Sequence, residues 1–106
     1  MQKKVIDQTF LQGKLFRTRY FRFYFLKKKL GKITICPVIS KKIFPKAVTR
    51  NYLKRIIRAV AHEQPETITP ADIIIVTNQQ IQCLEMKSLH SEVKKSWEKF
   101  LVWVEK

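Results

Sequence analysis

Apolar residues recur along this chain with periods that change from segment to segment, and each period predicts an element. In VIDQTFLQ, residues 5 to 12, Val5, Ile6 and Phe10 with Thr9 fall on one side of a short helix that Gly13 can end. From Arg19 to Lys27 the period drops to two: Phe21, Phe23 and Phe25 point one way, and Tyr20, Arg22, Tyr24 and Leu26 the other. The Phe row is the expected core face. KKKLGK then reads as a hairpin connection with Gly31 at the turn, leading to a second strand, ITICPVIS. Pro37 in that strand lacks an amide donor and calls for an edge position, a bulge or an early break in pairing. A helix is predicted from about Lys46 to Glu63, and Pro65 and Pro70 bound a linker after it. ADIIIVT, residues 71 to 77, is apolar on both parities, the pattern of a strand covered on both faces or paired in parallel. The preceding helix is long enough to be the crossover of a βαβ unit. A last helix begins near Leu84 or Ser88, with Leu89, Val93, Trp97, Phe100, Leu101 and Val104 as its core stripe and Glu92, Lys95 and Glu98 outside. No internal repeat or second domain is visible, so residues 1 to 106 are read as one domain.

Charge changes the picture of the middle helix. Projected at about 100° per residue, Arg50, Lys54 and Arg58 form one row, with Asn51 and Arg55 in the next, so five polar donors share roughly 140°. Val48, Tyr52, Leu53, Ile56, Ile57, Ala59 and Val60 fill most of the remainder and are read as its core side. No Asp or Glu occurs between Asp7 and Glu63, and the whole chain carries a net charge of +14. Like charges at i, i+4 destabilise an isolated helix by a few tenths of a kcal/mol per pair, so an unmixed row points to a polyanion partner. With hydrophobic residues at 45% the chain can still bury a core and is no disordered basic tail.

Other classes are disfavoured by what the residues can do. No apolar run approaches the roughly 18 to 20 residues that span a bilayer, and the first residues lack a signal-type apolar block, so a cytoplasmic protein is expected. A membrane-surface helix fails because its apolar side is needed by the core. Cys36 and Cys83 are read as reduced packing residues, and His62 and His90 lack ligand spacing, so no metal site is expected in the chain. A protein nuclease would need carboxylates, and Asp7 and Asp72 are the only aspartates. The strand face carrying Arg22 with Tyr20 and Tyr24 combines cation and aromatic, a pairing that suits single-stranded RNA.

The order helix, strands, Ser40-Lys41-Lys42, a helix containing AVTRNYLKRIIR, apolar strand, amphipathic helix resembles the protein subunit of bacterial ribonuclease P over about residues 5 to 104. Ser40, Lys41, Lys42, Ala47, Val48, Arg50, Asn51, Lys54, Arg55 and Arg58 sit where that family's pattern asks. The resemblance implies an α+β fold, a two-layer α/β sandwich with a mixed sheet of about four strands and a left-handed βαβ crossover, an exception to the usual hand. It also implies an accessory subunit that binds the ribonuclease P RNA and precursor transfer RNA, with catalysis and the Mg²⁺ ions belonging chiefly to RNA and no catalytic residue in the protein. The implied RNA contacts are Lys41, Lys42, Arg50, Asn51, Lys54, Arg55 and Arg58. The implied cleft for the 5′ leader uses Ile6, Phe10, Arg22 and Tyr24.

Three features depart from the family pattern. Tyr52 takes the place of an arginine and projects toward the core sector, Ile6 stands where an aromatic is usual, and one residue is added at Phe44-Pro45, with Pro37 interrupting the preceding strand. The alternative function is a generic RNA- or ribosome-binding protein. Arg50 and Lys54 are read as solvent-facing, so replacing both by Ala is expected to leave the melting temperature little changed. A protein monomeric apart from RNA is expected.

Overall fold

The structure is a computed structural model that describes residues 3–29, 31–63 and 70–105. In chain order it contains α1 (Lys3–Gln12), β1 (Lys14–Arg17), β2 (Phe21–Lys27), β3 (Thr34–Val38), α2 (Ala47–Glu63), β4 (Ala71–Thr77), two 3₁₀ turns (Gln79–Cys83 and Met86–Ser88) and α3 (Leu89–Glu105). The four strands form one mixed sheet in the order β1-β2-β4-β3. β1 with β2 and β2 with β4 are antiparallel, and β3 with β4 is parallel. Of the segment read as a linker between Pro65 and Pro70, residues 65–69 lie outside the described residues.

β4 occupies the centre because both of its faces are apolar. All its residues but Val76 are buried, and it pairs with β2 on one side and β3 on the other. This corrects the hairpin reading of residues 27–32. The connection through Gly31, at φ +105°, does turn the chain, but β4 is inserted between the strands it joins. Pro37 explains which strand yields: β3 cannot donate at that position, so it takes the edge, with one partner only.

One face of the sheet carries Phe21, Phe23, Phe25, Ile73 and Ile75 against α2 and α3. Leu53, Ile56, Ile57 and Val60 enter from α2, and Leu89, Val93, Trp97 and Phe100 from α3. Phe23 stacks on Phe100 with ring centroids 4.6 Å apart. The α3 stripe is therefore as the periodicity predicts. The α2 side is narrower than predicted, because only that four-residue arc is buried, with Ala61 packed at its edge. Val48 and Tyr52 lie roughly a quarter-turn or more from its centre by helical spacing, and Val48, Tyr52 and Ala59 are exposed.

β1 is an element that pattern reading missed: of its four residues only Phe16 is even half-buried. The β1–β2 turn is held by Thr18, whose amide donates to the Phe21 carbonyl (2.8 Å) and whose hydroxyl accepts from the Phe21 amide (3.2 Å). The alternation consequently starts at Phe21, and Tyr20 escapes it. Tyr20 is 8% exposed and joins the core, a correction to its placement beside Arg22 and Tyr24. Cys83 is exposed, because Ile81 takes the buried position of its turn. Both thiols are free.

The helix α1 packs on the opposite sheet face, against β2 and β4. Thr9 is its fully buried residue, and its hydroxyl donates to the Val5 carbonyl at 2.8 Å. Gly13 lets α1 turn directly into β1. A β-carbon there would collide with the Thr9 carbonyl oxygen and lie 3.0 Å from the Phe25 carbonyl oxygen. Replacing Gly13 by Ala is expected to lower the unfolding free energy by about 1 to 3 kcal/mol, the usual cost of overpacking, as measured by urea unfolding. Unchanged stability would show that α1 can move off the sheet without penalty.

Candidate nucleic-acid interface

Two surfaces carry the residues singled out by sequence. The first is the sheet face under α1. Phe10 of α1 meets Tyr24 of β2 edge to face, with centroids 4.7 Å apart and planes at 73°. Phe10 remains 39% exposed, so this pair is an open aromatic ledge and not a sealed core contact. Ile6, one helical turn earlier, is half-buried. Arg22 follows Tyr24 on the same face, opposite Val76 of β4. Its Nε is buried and has no hydrogen-bond partner.

Beyond Arg22 the face opens into a groove of about 640 Å³ lined by Arg17, Arg22, Ser40 and Lys42 and by Asn78, Gln79, Gln80 and Gln82. The topology gathers these residues. Because β3 and β4 are parallel, the loops that follow both leave from one end of the sheet, where antiparallel β2 begins. Asn78 donates to the carbonyls of Thr18 (3.1 Å) and Arg19 (3.4 Å), so it serves the fold, while Gln79 and Gln80 are exposed. Arg17 and this amide run were not read as candidates. Arg17 belongs to the missed strand, and the only available signal for the amides was an unbroken polar run directly after an apolar strand.

The second surface is built on the Ser40–Pro45 loop and α2. The Ser40 hydroxyl accepts from the Lys42 amide (3.1 Å), and its carbonyl accepts from the amides of Ile43 (3.2 Å) and Phe44 (3.0 Å). This turn, of the kind serine hydroxyls favour, leaves Lys41 and Lys42 exposed. From one side Gln82 Nε2 donates to the Ile43 carbonyl at 3.0 Å. From the other, Arg50 Nη1 donates to the carbonyls of Phe44 (2.8 Å) and Pro45 (2.7 Å). Arg50 is thus half-buried and fastens the loop to α2, which corrects its reading as a purely solvent-facing cation. Asn51, Arg55 and Arg58 are exposed and Lys54 is half-buried.

Among the described residues the ion pairs are Lys28–Asp72 (2.9 Å), Lys87–Glu85 and Lys95–Glu92. None of them uses a cation of the loop, of α2 or of the groove. Asp72, one of two aspartates, is 6% exposed and held by Lys28, which also donates to the Thr34 hydroxyl at 3.1 Å. Among the described residues no three His, Cys, Asp or Glu side chains come together to hold a metal ion. The arrangement offers cations and aromatic faces to an anionic, base-bearing polymer.

Comparison with known proteins gives a consistent result. Residues 1–101 match the family model described as Ribonuclease P. A ribonuclease P protein component from Legionella pneumophila (strain Lens) is 32% identical over 100 residues, covering 93% of this chain and 85% of that protein. The solved structure of the Staphylococcus aureus RNase P protein superimposes with a TM-score of 0.81 at 24% identity, covering 95% of this chain and 89% of that one. The RNase P protein from Thermotoga maritima gives 0.72 at 22% identity, covering 93% and 87%. The mixed four-stranded α+β architecture is shared with these structures.

The two bonds from Arg50 separate it from its neighbours. Arg50→Ala is expected to lower the unfolding free energy by about 1.5 to 3 kcal/mol, the scale of hydrogen bonds from a charged donor. Lys54→Ala should stay within about 0.5 kcal/mol, as surface substitutions do. Urea unfolding of the two variants checks the contrast, and equal values would show that the loop holds without the guanidinium.

Proposed function

Because the chain belongs to the ribonuclease P protein family, we propose that it is the RNA-binding subunit that assists a catalytic RNA in removing the 5′ leader from precursor transfer RNA. The observation that carries this reading is the junction of two surfaces at one loop. Ser40–Pro45 presents Lys41 and Lys42, is fastened to the cationic helix by Arg50, and through Lys42 borders the groove that leads past Arg22 toward Tyr24 and Phe10. A structured RNA on α2 and a single strand on the sheet face would then be held in fixed relation.

In this reading Lys41, Lys42, Asn51, Lys54, Arg55 and Arg58 contact phosphates, and Arg50 does so with the part of its guanidinium not directed at the loop. The leader runs over Ile6, Phe10, Tyr24 and Arg22. Stacking on aromatic faces tolerates any base, which suits leaders of differing sequence. Mg²⁺ is assigned to the RNA subunit and substrate, as the family resemblance implies. The chain supplies no catalytic residue; it binds and orients. No helix among the described residues is long and apolar enough to cross a membrane, and we assign the subunit to the cytoplasm as a monomer apart from its RNA. The generic RNA- or ribosome-binding alternative differs in one respect, equal affinity for mature and leader-bearing transfer RNA.

Reconstitution with a bacterial ribonuclease P RNA tests the proposal. At low magnesium the protein should raise cleavage of precursor transfer RNA well above that of the RNA alone, and no increase would refute the assignment. If six to ten phosphates are contacted, affinity should fall by roughly 10³ to 10⁵ between 50 and 200 mM salt on the duplex estimate, and by less for single strands. Tyr24→Ala should remove the preference for leader-bearing over mature transfer RNA while leaving affinity for the RNA subunit unchanged. Loss of both in equal measure would show that Tyr24 serves only packing.

A further inference from the structure

We propose that Tyr52 is an RNA contact of a different kind from the cations around it, a platform on which an unpaired base of the bound RNA stacks. Sequence periodicity put Tyr52 in the core sector of α2, but the structure turns it outward, 43% exposed, beside Val48 at 80%. It belongs neither to the core cluster nor to the partly buried side chains packed against it. Among the described residues it has no aromatic partner and its hydroxyl makes no hydrogen bond. A large aromatic held on a rigid helix with nearly half of its surface open is available for a partner.

The surroundings select the partner. Asn51 adjoins Tyr52, Arg55 lies about one turn further along the helix, and exposed Arg58 and half-buried Lys54 continue the same arc. No acidic residue lies between Asp7 and Glu63 to neutralise them. A ligand that places an apolar ring over Tyr52 must therefore carry negative charge toward Arg55, and a nucleotide with a free base does both. A duplex alone would leave the ring facing a backbone. At this position the resembling family pattern has an arginine, so here an aromatic ring stands in place of a cation. The energy of that exchange differs in kind: stacking does not release counterions and is insensitive to salt, whereas phosphate contacts are not.

The inference rests on the function proposed above, and one experiment keeps the two apart. The intact protein and its Tyr52→Phe, Tyr52→Ser and Tyr52→Arg variants are titrated with a bacterial ribonuclease P RNA transcript, and with an unrelated structured RNA of equal length, at several salt concentrations. Stacking predicts that Phe retains affinity within about twofold. Ser should weaken it roughly 5- to 150-fold, by the range for one stacked base, with the salt slope unchanged. Arg should raise the slope by about one. All three variants should melt with the parent. The proposal is overturned if Ser binds as tightly as the parent, if Phe is as weak as Ser, if Ser changes the salt slope, or if Ser lowers the melting temperature. A parent protein that binds both RNAs equally would instead refute the assigned function, and the ranking of variants would still decide the role of Tyr52 on either RNA.

Discussion

The arrangement of this molecule depends on a strand that has no polar side. Ala71–Thr77 must be covered on both faces and paired on both edges, and the chain supplies a neighbour on all four sides. On one face it is covered by α2 and α3 and on the other by α1, while β2 and β3 flank it. Burying such a strand yields about 25 cal/mol for each Å² of apolar surface removed from water. That gain is lost wherever a neighbour is missing, so β4 displaces the local hairpin that residues 27–32 would otherwise form.

The binding surfaces follow from this placement. A parallel β3–β4 pair brings the Ser40 loop and the amide run after β4 to one end of the sheet, and Gln82 and Arg50 fasten the loop from opposite sides. Lysines on a free loop would lose side-chain and backbone entropy on meeting RNA; on a fastened loop part of that cost is already met in folding. The sheet face opposite the core stays open because α1 covers only part of it. Phe10 and Tyr24 therefore pack on each other and still present aromatic surface.

Electrostatics runs against the fold and in favour of the partner. With a net charge of +14 and no acid between Asp7 and Glu63, the last residue of α2, the free protein carries self-repulsion that the aromatic core must outweigh. The rings of Phe23, Phe100 and Trp97 meet within 6.3 Å of one another, a compact centre able to hold like-charged elements together. An anion on the loop and helix removes the repulsion, so ligand binding and stability are coupled.

Much of this was legible in the chain alone. The Phe21, Phe23, Phe25 alternation, the α3 stripe and the two-sided apolar run of β4 are properties of local period, and they carry over to the structure, as does the edge position, one of three outcomes that Pro37 allows. The order of residues around the cationic row of α2 identified the family. Tertiary structure alone decided what depends on contacts distant in sequence. It inserted β4 between β2 and β3, made a strand of Lys14–Arg17, drew Tyr20 into the core and turned Arg50 onto the loop carbonyls. It also left Tyr52 outside. Helical period defines which residues share a side, but the width of the buried arc is set by what packs there, and on α2 that arc holds Leu53, Ile56, Ile57 and Val60 and nothing more.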